Sequence, residues 1–219
     1  IAVSWAAPAN DNGDAVAGYT LTWKRGGSVV HSIPVTGTSQ NVQVETSESD
    51  YTFSVTARNK AGDSVPSADS APRRGATAPG APTAVTLTPK DASAVVTFSN
   101  GPLNGNRANE ITYNYRVNQT GAQGTVSSGG TIGGLSNGTS YTVNVWATSS
   151  VQGVSPGAQA TSTAAVPFGK PIITLQSIDR LQGSVRFRWT VNENGRALTG
   201  ASYGGAGGNE QTVGGLAAN

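Results

Sequence analysis

Cysteine and methionine are absent from the 219 residues, and histidine occurs once. Without cysteine there is no disulfide framework, no thiolate metal site and no cysteine nucleophile. Charge is scarce too: 12% of residues are Asp, Glu, Lys or Arg, too few to coat solvated amphipathic helices. A net charge of +2 and a pI near 9.1 do not argue for nucleic acid, and no nucleic-acid partner is expected. No apolar run approaches the roughly 20 residues of a membrane helix, so no membrane insertion is expected within this segment. The opening residues do not read as a signal peptide. The chain opens on Ile1-Ala2-Val3-Ser4-Trp5 without an initiator methionine and reads as an internal piece of a longer polypeptide.

What is abundant is turn material and short alternating runs. Gly 29 and Pro 11, with many Ser, Thr, Asn and Ala, mark frequent chain reversals. Hydrophobic content of 36% suffices for small sandwiches, whose inner faces need only alternate residues. Gly134 to Ala147 shows the pattern best. Asn137-Gly138 is a turn dipeptide. After it Tyr141, Val143, Val145 and Ala147 alternate with Thr142, Asn144, Trp146 and Thr148, the period-two signature of a half-buried strand.

The chain repeats this stretch. Ile1, Val3 and Trp5 predict a strand closed by Pro8, and Asn10 to Asp14 a turn. Tyr19, Leu21 and Trp23 predict a second strand. Val29 to Val35 and Gln40 to Val44 read as short edge strands. Tyr51, Phe53, Val55 and Ala57 form the next strand, and Ser64 to Pro72 a last, weak one. In the second pass Ala94, Val96 and Phe98 match Ile1, Val3 and Trp5, and Asn104-Gly105 matches Asn12-Gly13. Tyr113, Tyr115 and Val117 match the Tyr19 strand. Tyr141 lies 90 positions after Tyr51 and Pro156 90 after Pro66. In a third pass Val185, Phe187 and Trp189 form the strand, Asn194-Gly195 lies 90 after Asn104-Gly105, and Tyr203 lies 90 after Tyr113. Thr212 to Leu216 copies Thr131 to Leu135. A period of about 90 residues with about seven short strands signals an array of sandwiches and not a short-repeat solenoid.

The units resemble fibronectin type III domains. The resemblance is carried by Trp5 with Pro8, by the Asn-Gly turn before a Tyr-rich strand, and by Leu135-x-x-x-Thr139-x-Tyr141. It implies an all-β fold of tandem immunoglobulin-like antiparallel β-sandwiches. It divides the chain into 1–76, a unit lacking its first strand; 77–167, a complete unit; and 168–219, a unit lacking its last two strands. It implies a tyrosine corner at Leu135, Thr139 and Tyr141, with the Tyr141 hydroxyl bonded to backbone a few residues upstream. Tyr51 marks a weaker counterpart, with Val44 seven residues before it where Leu135 is six before Tyr141. Trp5, Trp23, Phe98 and Trp189 are expected in the cores. The third unit, with its shorter Gly204 to Gly208 middle, is expected to expose its inner face, including Phe187 and Trp189.

No catalytic constellation is visible. His31 is the single imidazole on which a Ser-His-Asp relay could be built, and it reads as an exposed edge-strand residue. Glu45, Glu48 and Asp50 cluster as a solvated turn, without the concave platform of a carboxylate pair. Asp11-Asn12-Gly13-Asp14 has calcium-suited oxygens but no EF-hand spacing, and reads as a turn. Arg73-Arg74 reads as linker, and Arg186 and Arg188 as the wet face of a strand. Asn118-Gln119-Thr120 and Asn137-Gly138-Thr139 fit the glycosylation pattern and are expected unmodified. Trp146 faces away from the inner row of its strand and is a candidate sugar or protein contact. The alternative is a cation–π stack under Arg116.

The expectation is therefore a non-enzymatic extracellular stalk or spacer, structural or adhesive, without cofactors or metal. The Ala/Gly/Thr-rich style and the linkers Ala78 to Pro82 and Val166 to Pro171 look like large secreted or surface-anchored bacterial proteins. Two alternatives stand beside it: an accessory spacer of a secreted polysaccharide-degrading enzyme, and a subunit of a self-assembling extracellular filament or virion surface. The expected partners are neighbouring repeats of the same chain. Polysaccharide, another surface protein and further copies of the chain are the candidates beyond them.

Overall fold

Alternating side chains become sheet directly. The computed structural model describes residues 1–197 and 210–214. Its first strands are β1 (Ala2–Ser4), β2 (Gly18–Arg25), β3 (Ser28–Val35), β4 (Ser39–Asn41), β5 (Asp50–Asn59), β6 (Gly62–Asp63) and β7 (Arg73–Arg74). One sheet is β1-β4, the other β3-β2-β5-β6, with β7 also on β5. On β2 the buried residues are Tyr19, Leu21 and Trp23; on β5 they include Tyr51 and Phe53. Leu21, Trp23, Val42, Tyr51 and Phe53 form one core, ringed by residues that include Ile1, Val3, Trp5 and Val44. Each such side chain contributes about 1.5–3 kcal/mol by leaving water.

The stretch read as a weak last strand is not a regular strand. Beyond β6, residues 64–72 run along β5 in steps of three. Ser64, Ser67 and Ser70 each donate a backbone N–H, to the carbonyls of Ala57, Val55 and Phe53 (2.8–2.9 Å). Each hydroxyl oxygen in turn accepts the N–H of that same β5 residue, at 3.0–3.1 Å. Pro66 and Pro72 cannot donate to a ladder, so the spacing follows the serines and not the strand period.

The next strands are β8 (Thr83–Lys90), β9 (Ser93–Ser99), β10 (Ile111–Val117), β11 (Gln123–Thr125), β12 (Gly130–Gly133), β13 (Val143–Ser149) and β14 (Ala160–Thr161). They give sheets β12-β9-β8 and β11-β10-β13-β14. A short 3-10 turn, Ala108–Glu110, precedes β10. Leu87, Val96, Val117, Ile132, Val143 and Val145 are buried. Both sheets repeat the order of the first pair, with β8 as an additional strand beside β9. The repeat holds in register too: Ile132 pairs with Ala94, while Val42, 90 residues before Ile132, donates to the Ile1 carbonyl.

The last strands, β15 (Ile172–Leu181), β16 (Ser184–Asn192) and β17 (Glu210–Gly214), form one sheet in that order, the arrangement of β8, β9 and β12. Its two faces differ. Arg186 pairs with Asp179 and Glu210, and Arg188 with Glu210, on one face. The pairing Leu175↔Trp189, Ile178↔Phe187 and Val185↔Val213 puts the apolar residues on the other. There Ile173 is 67% exposed and Ile178 59%. Phe187 and Trp189, expected in the open, are half-buried. They lie on the central strand, Phe187 between Ile178 and Gln211 and Trp189 beside Leu175.

The aromatic core expected at four positions is found at two. Trp23 and Phe98 are buried, whereas Trp5 and Trp189 are half-buried. Trp5 lies just past the end of a two-stranded sheet, edge-on to Tyr19 at 5.5 Å, and so has water on one side. Tyr203, Gly204 to Gly208 and Leu216 lie outside the described residues.

The chain condenses into two compact units. The first comprises Ile1–Pro82, Asn100–Asn114 and Trp146–Gln159; the second comprises Thr83–Ser99, Tyr115–Val145 and Ala160–Asn219.

Candidate functional site

Asn-Gly occurs as the same turn at three places, and two of them are seated. In each, the residue after the pair donates its N–H to the residue before it: Asp14 to Asp11, Asn106 to Leu103, Arg196 to Glu193. Asn12, Asn104 and Asn194 have φ of 54°, 51° and 51°, and the glycines after them 88°, 85° and 92°. Both central residues are left-handed, a conformation that glycine adopts freely and asparagine tolerates.

In the first compact unit, Asn104–Gly105 sits on the linker that follows β7. Thr77 N–H donates to the Asn104 carbonyl (3.1 Å), and the Asn104 side-chain amide donates to the Ala78 carbonyl (2.8 Å). The buried Asn106 amide donates to the Thr77 carbonyl. Gly105 fills the closest approach: a Cβ there would stand 2.4 Å from the Gly75 oxygen and 2.8 Å from Ser47 N. Ser47 N–H donates to that same Gly75 oxygen.

Charge closes this joint. Arg74, whose side chain is 6% exposed, bridges Asp50 (3.0 Å) and Glu110 (2.7 Å). Glu110 also accepts the Arg107 N–H at 2.7 Å. Arg107 reaches back to Asp50 and to the Glu48 carbonyl. The pair read as basic linker is therefore strand β7, and Arg74 is neutralised within it. A buried guanidinium needs such partners, because an unpaired charge in that setting costs several kcal/mol.

In the second compact unit, Asn194–Gly195 sits in the same way. Gly169 N–H donates to the Asn194 carbonyl (3.0 Å), and the Asn194 amide donates to the Lys170 carbonyl (2.9 Å). A Cβ on Gly195 would stand 2.4 Å from Gly138 N and 2.6 Å from the Pro167 oxygen, which itself accepts the Gly138 N–H. The closing groups here are Asn137, donating to Asp91 and to Asn194 at 2.7 Å each, and Arg196 over the Phe168 ring at 5.0 Å.

Other singled-out residues are dispersed. His31 is exposed on β3, its ring edge-on to Trp23. Glu45 pairs with Arg25 at 2.7 Å. Asp14 accepts the Lys60 N–H and Asp11 that of Gly13. Among the described residues no three His, Asp or Glu side chains converge as metal ligands. Arg186 and Arg188 are consumed by ion pairs. Trp146 is half-buried and Arg116 exposed.

At the tyrosine corner Tyr141 is buried, beside buried Leu135 and exposed Thr139. The Ser136 N–H donates to the Tyr141 hydroxyl oxygen at 3.1 Å, and this bond holds the phenol pKa below its ordinary value. Tyr51, also buried, instead donates to the Glu45 carbonyl at 3.1 Å. Tyr113 is shifted the other way, raised by burial and partly offset by its hydrogen bond with Gly101.

The sheet orders define an array of antiparallel β-sandwiches. Residues 1–73 match the model of the fibronectin type III domain, and the following sheets repeat the strand order of that stretch. No curated protein matches the chain. Among solved structures, the chicken CNTN1 FN1-FN3 domains are 17% identical with a TM-score of 0.38, over 68% of this chain. The chain spans 56% of the length of that structure. No helix among the described residues is long and apolar enough to cross a membrane.

Proposed function

We propose that the chain is a non-enzymatic structural or adhesive spacer, part of an extracellular protein that is secreted or anchored at a bacterial surface. The observation that carries this reading is the seated Asn-Gly turn. In both compact units a linker is held by an amide, a carbonyl and a glycine that fits closely against it, where a free Pro/Gly linker would swing. Modules joined by held linkers transmit position and load, and a spacer needs both. The reading takes neighbouring repeats of the same chain as the first partners, with polysaccharide or another surface protein as candidates beyond them.

Single-molecule extension between the two chain ends tests it. The expected record shows discrete unfolding steps, each releasing about 90 residues at roughly 3.4 Å per residue. Smooth extension at low force, with no steps, would refute a load-bearing role.

A further inference from the structure

Asn12–Gly13 is the same turn as the two seated ones, and none of the described residues is seated on it. Its dihedral angles and its closing hydrogen bond repeat those at Asn104–Gly105 and Asn194–Gly195. At the seated turns an added Cβ on glycine would strike backbone at 2.4 Å, whereas on Gly13 it would meet nothing within 4 Å. At the seated turns the asparagine carbonyl accepts from one linker residue and its side-chain amide donates to the carbonyl of the next: Thr77 then Ala78, and Gly169 then Lys170. Asn12 donates its backbone N–H to Asn10. Its carbonyl and side-chain amide have no partner among the described residues.

We infer that Asp11–Asp14 is a docking surface, and that its occupant is the linker end of another sandwich of this build. The partner is specified by its chemistry. It presents a backbone N–H and, one residue on, a carbonyl, matching the two free groups of Asn12. It also presents a turn amide bonded to a linker oxygen, as Ser47 is to Gly75 and Gly138 to Pro167, with room between them for a residue without a Cβ. Gly13 supplies that residue. The inference stands on the three turns alone, so the extension experiment can fail without touching it.

The test is the full chain with its own residues 1–93 duplicated ahead of Ile1. Ile1 then takes the place of Ala94, the residue whose register it shares, and the copied linker precedes Asn12 as Thr77–Ala78 precedes Asn104. Amide hydrogen exchange is read by NMR with the copy segmentally labelled. The expected result is protection of the copied Thr77 N–H to within about tenfold of the original Thr77. Exchange of the copied amide at the unstructured rate, with the original still protected, overturns the inference. Gly13→Ala in the second copy gives an independent reading. In the original chain the variant should lower the denaturation midpoint less than Gly105→Ala does, since the new methyl meets open space and only the left-handed φ is strained. In the duplicated chain it should lower it as far as Gly105→Ala does. An equally small drop in both chains counts against the seat.

Discussion

The two seated turns share a main chain and differ in what closes them. Around Asn104–Gly105 the closing groups are ionic: Arg74, Asp50, Glu110 and Arg107. Around Asn194–Gly195 they are the uncharged amides Asn137 and Asn194, one carboxylate, Asp91, and the Arg196 guanidinium stacked over Phe168. The shared part is backbone N–H, backbone carbonyl and a missing Cβ. The main chain thus defines the joint, and side chains of unlike chemistry can seal it.

If that division is right, the shared element should be the costlier to disturb. Gly105→Ala and Gly195→Ala each combine a left-handed φ with a backbone collision. Each should cost about 4 kcal/mol in urea denaturation, from dihedral strain and overpacking together. Costs below that of Arg74→Ala would reverse the ranking. Arg74→Ala removes the buried cation that joins Asp50 to Glu110 and leaves only Arg107 on Asp50, and a loss of about 3 kcal/mol is expected. At the other joint, Asn137→Ala removes three side-chain hydrogen bonds, to Asp91, Asn194 and the Ala92 N–H, and should cost about 1–2 kcal/mol. A penalty equal to that of Arg74→Ala would show that the two closures are energetically alike.

Salt sharpens the same contrast. At 1 M salt the screening length falls to about 3 Å. The exposed Arg107–Asp50 contact should then weaken, costing the first joint about 0.5 kcal/mol or less. Exchange at Thr77 should accelerate with salt while exchange at Gly169 should not.

The smallest effect expected is at the tyrosines. Tyr113 has its folded pKa raised, so its contribution to stability is complete below the unfolded value of about 10 and is lost as pH climbs through the folded value. Tyr141 has its folded pKa lowered, so its contribution is present above that unfolded value and is lost as pH falls through the folded one. Ultraviolet titration should lose its earliest phenolate component in Tyr141→Phe and its latest in Tyr113→Phe.

Strand identity was readable from sequence because Tyr19, Leu21 and Trp23, or Val143 and Val145, alternate with a period that only a half-buried sheet explains. The repeat was readable because the Asn-Gly pairs and tyrosines recur at fixed spacing. The joints were not. Asn12–Gly13 and Asn104–Gly105 carry the same turn signal, and nothing local distinguishes a turn in water from one closed over a linker. Arg74 looked like linker charge because its partner Glu110 lies 36 residues away. Ser64, Ser67 and Ser70 looked like a failing strand because their step of three matches no sheet period. Trp5 and Trp189 were placed in the cores on residue type, while their burial depends on how many strands flank them.

That step of three has a further consequence. Proteases bind a substrate as an extended strand, pairing with its main chain at alternate residues. Along 64–72 the N–H groups of Ser64, Ser67 and Ser70 are already bound to β5, and two prolines have none to offer. The segment is exposed, with Val65 86% accessible, yet its donors are interrupted by the bound N–H groups of Ser67 and Ser70 and by Pro66. A surface stretch rich in Ala, Ser and Pro has the composition of an easily cut tether, yet limited proteolysis is expected to cut it more slowly than a free linker of the same composition.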